Sequence, residues 1–290
     1  MSVLITGSIA YDTIFRHAGA FSENLKPEAL DCLNLTFQAA GMERSIGGCA
    51  ANIAAALKLA GGTPALWGCV GRDGADIMAH FRLNDIPTDG IGVAADCYTS
   101  QCVITTDRLG NQLATFYPGA LRHAHEAPYP ERLDPALAIL APGCRDSMLK
   151  QAAAIRNRRL PMVLDLGQTL PVFTRDEICA FVEASRWIAF SDYEAELLRD
   201  RAGLTPDALA REGKIVFQTH GSAGSSVWTP EAEAPVLIPV EAVPNVNPVG
   251  AGDAYRGGLL RGLEMGLDPV ECAKLGTETA RRTLLKRSAG

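Results

Sequence analysis

The chain has 290 residues, 47% of them hydrophobic, enough to bury a substantial core as one large α/β domain or two smaller ones. A net charge of −6 with no Lys/Arg-rich block argues against a nucleic-acid partner, and no apolar run approaches the roughly 20 residues of a membrane span. The eight cysteines (Cys32, Cys49, Cys69, Cys97, Cys102, Cys144, Cys179, Cys272) are scattered without a Cys-x-x-Cys pair, so they read as free thiols in a reducing cytoplasm, not as disulfides or metal ligands.

In chain order, the N-terminus has no basic n-region and reads as a first strand, Val3–Ile9. Asp12 follows it. A carboxylate just past a strand's end is placed to accept hydrogen bonds from vicinal sugar hydroxyls, although a loop or cap aspartate is the commoner use. Phe15–Arg44 is long, polar and irregular. It leads to Gly47-Gly48, where the backbone can approach a ligand closely, and to the small-residue helix Asn52–Leu59. Asn52 is then the one polar group aimed at a pocket mouth; the competing account makes it the helix cap.

Strand Ala65–Val70, turn Gly71–Gly74 and helix Ala75–Leu83 come next. Ser100–Tyr117 alternates as a hairpin turning at Asp107–Asn111. A hairpin has no place in a parallel sheet, so it reads as a lid or as an edge hairpin without function. His123 and His125 lie close together in what reads as a surface loop. Strands Ala136–Ala141, Met162–Leu166, Trp187–Phe190 and Ile215–Thr219 then alternate with helices Ser147–Asn157, Asp176–Ala184, Tyr193–Ala202 and Thr205–Arg211. Such alternation predicts a mostly parallel sheet with helices on both faces and ligands outside the carboxyl ends of the strands.

Polar groups gather at those ends. Asp165 and Gln168 follow one strand, and Ser191-Asp192-Tyr193-Glu194 opens a helix after another, where Glu194 could hold Mg²⁺ through water. Thr219–Gly224 leaves the core as a Gly-rich turn suited to a nucleotide's base and sugar. The most informative segment is Gly250-Ala251-Gly252-Asp253, set before an apolar stretch. Its glycines and helix-start amides suit an anion, and the same amides depress the Asp253 pKa. An ionised carboxylate beside an anion cradle can take a proton from a hydroxyl while the cradle receives the transferred group. The plain alternative is a tight turn with Asp253 as the cap.

With these residues assembled, the chain resembles the ribokinase-like (PfkB) family of sugar and nucleoside kinases across nearly its whole length. Gly47-Gly48 with Asn52 resembles the family's N-terminal signature, and Asn247-Pro248-Val249-Gly250-Ala251-Gly252-Asp253 its C-terminal one. Within the family it is most similar to bacterial adenosine kinases, through Gly7–Asp12, Asn111-Gln112 with Phe116–Ala120, Gly167-Gln168 and Asp192–Glu194.

The resemblance implies one ribokinase-like α/β domain over residues 1–290: a three-layer sandwich with a small β lid from segments 10–45 and 97–120. It implies ATP and Mg²⁺, with adenosine as the first acceptor and a free sugar or another nucleoside as the alternative. Asp253 would be the base, and the amides of Gly250, Ala251 and Gly252 the anion hole. Asp12, Gly48 and Asn52 would bind ribose, with Gln168 on the same rim and Phe116 stacking on the base. Thr219, Gly221 and Gly224 would lie beside ATP, and Glu194 would organise Mg²⁺.

Three departures set this chain apart: Ser191 stands where the family has Asn, Asn247 where it has an acidic cation ligand, and Thr277–Gly290 is short and basic. They leave K⁺ activation open and support, as another class of reading, a degenerate nucleoside-binding protein. A homodimer through paired lid edges is compatible with the pattern and not required by it.

Overall fold

The predicted apolar runs alternate sides along a sheet buried on both faces. A computed structural model describes residues 2–23, 25, 34–244 and 249–288; Cys32, Asn247 and Pro248 lie outside the described residues. Its strands are β1 (Ser2–Ile5), β2 (Ala10–His17), β3 (Ala39–Gly47), β4 (Pro64–Leu66), β5 (Gly68–Gly71), β6 (Ile91–Ala94), β7 (Ser100–Thr106), β8 (Gln112–Tyr117), β9 (Pro135–Leu140), β10 (Met162–Leu164), β11 (Trp187–Ser191), β12 (Ile215–Thr219), β13 (Ser225–Trp228) and β14 (Val236–Ile238). The helices are α1 (Cys49–Leu59), α2 (Ala75–Leu83), α3 (Arg145–Asn157), α4 (Arg175–Ala184), α5 (Asp192–Ala202), α6 (Pro206–Arg211), α7 (Ala251–Glu264) and α8 (Pro269–Ser288).

The main sheet runs β14-β13-β12-β11-β10-β9-β1-β4 and is parallel except where β13 and β14 join. Val3, Ile5, Ile139, Val163, Ala189 and Phe217 face one core, completed by residues of α1, α2, α7 and α8 such as Leu57, Phe81, Leu259 and Ala273. Their neighbours Leu4, Leu140, Leu164, Phe190 and Val216 face the other, completed by Met148, Phe181, Leu198 and Leu209 of α3 to α6. Two apolar faces on one sheet require two helical layers, which gives the expected three-layer ribokinase-like sandwich.

A second sheet, β3-β2-β7-β8, forms the lid. The predicted hairpin is its β7–β8 half. The segment expected to be irregular supplies the other half, because β2 and β3 lie within or beside Phe15–Arg44. Most of β3 is solvent-exposed, so it carries no apolar alternation by which a strand could be recognised. The predicted first strand also divides. β1 stops at Ile5 and the chain turns at Gly7 (φ +121°) out of the main sheet into the lid, where an added Cβ would press 3.1 Å from that of Ala141. Asp12 therefore sits within β2 of the lid, not in a loop beyond a strand. Strand Ala65–Val70 divides at Trp67, whose N–H still bonds Ile5, while Gly68 turns to Gly90 and β5 pairs with β6.

Candidate active site

Two helix starts meet at the carboxyl edge of the sheet. Gly250 (φ +79°, a left-handed conformation that suits glycine) caps α7, and Asp253 lies in its first turn. Gly48 (φ +89°) caps α1, where a side chain would come 2.5 Å from the Ser8 carbonyl. Neither Asp253 nor Asn52 is a cap, so the plain alternatives for both residues fall away. The Asn52 Nδ2 instead donates to Asp253 Oδ2 at 2.8 Å, across 201 residues of sequence. This meeting depends on how closely the helices approach. At Gly257 an added Cβ would lie 2.5 Å from Ala56 Cβ and 2.7 Å from Leu57 N, so only a bare backbone lets α7 rest on α1. The glycines after Asp253 thus serve helix packing.

Gly252 borders two cavities. One, of about 430 Å³, is lined on one side by Thr219, Gly221 and Gly224 and on the other by Ala251, Tyr255 and Thr277. The other, of about 260 Å³, is lined by Gly250, Gly252, Asp253, Cys49, Gln168 and Glu194, among others. The start of α7 therefore stands at the junction of a largely apolar hollow and a polar one, where its amides can meet an anion shared between them.

Under the polar cavity lies a buried charge cluster. The Arg256 guanidinium, 5% exposed, donates through Nε to Asp165 Oδ2 at 2.9 Å and through Nη2 to Oδ1 at 3.2 Å. Its Nη2 is 3.6 Å from Glu194 Oε2, and Nη1 reaches the Gly252 carbonyl at 3.3 Å. Burial raises the Asp165 pKa to about 6, against the pull of Arg256; the carboxylates in turn hold Arg256 firmly protonated despite its own burial. Cys49 is held as a neutral thiol by burial and by the nearby Asp253 and Asp165 charges. Gln168 Nε2 lies 3.7 Å from its sulfur.

Glu194 has a second structural use. Its Oε2 accepts the Ser191 N–H at 2.7 Å while Ser191 Oγ accepts the Glu194 N–H, a reciprocal cap on α5. Ser191, a departure from the family pattern, is thereby explained locally.

In the lid, Ser45, Asp12, Cys102 and Phe116 are successive cross-strand partners and share one face. An added Cβ on Gly47 would sit on the Asp12 carboxylate, 2.7 Å from its Cγ, so the bare glycine makes room for that carboxyl group. Burial raises the Asp12 pKa. Phe116 is 53% exposed.

The expected site residues thus fall into three groups: Gly250, Gly252, Asp253, Gln168 and Glu194 at the polar cavity, with Asn52 bonded to Asp253 from a neighbouring hollow; Thr219, Gly221, Gly224 and Ala251 at the apolar one; Asp12 and Phe116 on one row of the lid, with Gly48 between lid and α1. Sequence reasoning missed Arg256 as a buried partner and missed α8. That helix places Thr277, Ala280, Arg281 and Leu284 against the apolar cavity, and their i, i+3, i+4, i+7 spacing was the available signal. Arg281 reaches across to Glu241 at 2.5 Å.

Residues 7–290 match the pfkB family carbohydrate kinase domain. A nucleoside kinase of Burkholderia thailandensis, solved in complex with inosine, shares 33% identity and a TM-score of 0.85 over 98% of this chain and 91% of its own. A nucleoside kinase of Methanocaldococcus jannaschii is 27% identical over 85% of this chain and 82% of its length, and a cytidine kinase of Thermococcus kodakarensis is 25% identical over 83% and 88%. These relatives are phosphotransferases, and on the family match this chain is a phosphotransferase too: it belongs to the pfkB family of carbohydrate kinases.

Proposed function

We propose that the chain transfers the γ-phosphate of ATP to the CH₂OH of a nucleoside's ribose, with adenosine the first acceptor to test. The observation that carries this is Gly252 at the junction of two cavities with Asp253 beside it, oriented by Asn52. ATP occupies the apolar cavity between Thr219–Gly224 and α8 with its γ-phosphate at the Gly250–Gly252 amides. The acceptor oxygen attacks phosphorus as its proton passes to Asp253, and the bond to the β-phosphate oxygen breaks to release ADP. The amides stabilise the charge gathering on the phosphoryl oxygens.

The polar cavity suits Mg²⁺, since Asp165, Glu194 and Asp253 are hard oxygen donors around a single guanidinium. Asp165 and one oxygen of Glu194 are already engaged, so Glu194 would hold the ion through water, and the ion would neutralise phosphate charge. Asn247 carries no charge for a monovalent cation, and turnover without K⁺ is expected.

The lid row supports a nucleoside over a free sugar. Asp12 and Phe116 are two strands apart on one face, a span of roughly 10 Å at sheet spacing. That separation fits ribose hydroxyls on Asp12 and a base on the Phe116 ring. Inosine is the second purine to test, because the Burkholderia thailandensis relative was solved with it. Leu113, Phe116 and Tyr117 are exposed on β8, the lid's edge, where a second copy could pair.

Three measurements test the proposal. Asp253→Asn is expected to lower kcat by orders of magnitude while nucleoside binding and the melting temperature persist; near-normal turnover refutes the base. Thermal stabilisation by adenosine or inosine but not by ribose or fructose supports a nucleoside acceptor, and the reverse pattern selects a sugar kinase. Nucleoside binding without phosphoryl transfer at saturating ATP and Mg²⁺ selects the degenerate binding protein.

A further inference from the structure

At the foot of the lid, away from both cavities, Asp96, Cys97 and His123 bring one oxygen, one sulfur and one nitrogen within 4.8 Å of one another. Cys97 stands three residues before β7 begins, and His123 lies in the short 3₁₀ segment Gly119–Glu126 that follows β8. The cluster therefore spans both roots of the lid hairpin. Those roots already touch: Ala120 N–H donates to the Tyr98 carbonyl at 3.0 Å, and Ser100 Oγ to that of Pro118 at 2.7 Å.

Two features distinguish this cluster from chance proximity. His123 Nδ1 is 3.1 Å from Glu126 Oε2, the carboxylate–imidazole pairing that orients metal-bound histidines, and it leaves Nε2 for a cation. The sulfur is backed by a small apolar cluster of Cys69, Ala120, Leu121 and Ala124, which fixes the backbone on both sides of it.

We propose that Asp96, Cys97 and His123 form a zinc site that clamps the base of the lid. Mixed sulfur, nitrogen and oxygen donors suit Zn²⁺, and three protein ligands with water in the fourth position complete a tetrahedron. Donors around tetrahedral zinc stand about 3.5 Å apart for bonds of about 2.0 to 2.3 Å, so the three side chains contract by about 1 Å or less on binding. The thiol proton leaves to solvent as the sulfur–zinc bond forms. The cation then joins the strand entering the lid hairpin to the segment leaving it.

The full chain, stripped with chelator, is titrated with Zn²⁺ by calorimetry and with Co²⁺ by absorption. The expected result is one equivalent bound, a thiolate-to-cobalt charge-transfer band, and a higher melting temperature with Zn²⁺. Cys97→Ser and His123→Ala, neither at the active site, are expected to abolish the band, and Glu126→Gln to weaken affinity about 10-fold or more. Absence of the band in the unmodified chain overturns the proposal. So does its survival in Cys97→Ser, which would place the metal on another cysteine.

Discussion

Replacing Arg256 with methionine tests how the floor of the polar cavity is held. Methionine keeps much of the apolar stem and removes the charge. Asp165, whose side chain is 4% exposed, then loses both guanidinium bonds, and Glu194 loses a cation at 3.6 Å. Breaking a buried pair from one side costs about 3–5 kcal/mol, because the remaining charge stays out of water. Against a total stability of about 5–15 kcal/mol the variant still folds, and a melting temperature lower by roughly 10 °C is expected.

The sign with pH follows from Asp165. Its pKa is about 6 with the guanidinium present, raised by burial, and climbs further once the cation is gone. The folded variant then binds a proton that its unfolded chain has released, so its stability falls as pH rises from the ordinary carboxylate range through 6 and beyond. Denaturant midpoints are measured at pH 5.5 and pH 8 for wild type, Arg256→Met, and Arg256→Met with Asp165→Asn. The loss is expected to be larger at pH 8, and the double variant to recover much of it because no orphan charge is left. A single variant within about 1 kcal/mol of wild type at pH 8, or a double variant no better than the single, refutes the reasoning.

Asn52→Ala removes the 2.8 Å bond to Asp253; at about 1.5–3 kcal/mol for a charge-assisted bond, kcat is expected to fall about 10- to 100-fold with little change in melting temperature. Gly47→Ala displaces the Asp12 carboxylate, so steady-state kinetics should show a raised nucleoside KM with the ATP KM unchanged; equal effects on both would remove Asp12 from acceptor binding. Asp107 accepts bonds from Phe21 N, Leu109 N, Asn111 N and Asn111 Nδ2, which outweigh its burial and lower its pKa to about 2. Its stabilisation of the lid loop is thus present above the ordinary carboxylate range and lost as pH falls through 2. Melting curves from pH 5 down to 2 should be flatter for Asp107→Asn than for wild type.

Six of the eight main-sheet strands and six helices were legible because their residues face apolar cores, and burial writes periodicity into sequence; the short edge strands β13 and β14 were not read. α2 was readable to the residue, Ala75–Leu83. The lid was half legible: β7 alternates, whereas β3 lies open to solvent and any polar residue is tolerated there. Gly250–Asp253 was readable as a helix start, since that signal is local. The role of Arg256 was not, because a guanidinium is informative only once Asp165, 91 residues away, is known to bracket it. Likewise the Asn52–Asp253 bond depends on Gly257 meeting Ala56 between two helices, which no window of sequence contains.

The charge cluster also bears on what the polar cavity can accept. Asp165, Glu194 and Asp253 line it, and Arg256, its only lining cation among the described residues, is committed to Asp165. The acceptor side of the lid adds another carboxyl group, Asp12. A phosphorylated sugar entering there would therefore bring negative charge toward these four carboxyl groups, with no uncommitted guanidinium among the residues lining the polar cavity to meet it. On the proposed reading ATP escapes this penalty, since its terminal phosphate would arrive from the other cavity at the helix-start amides with a divalent cation to neutralise it. On the same reading, these electrostatics favour a neutral acceptor such as a nucleoside over a sugar phosphate, and a sugar phosphate turned over as well as adenosine would refute that assignment of the polar cavity.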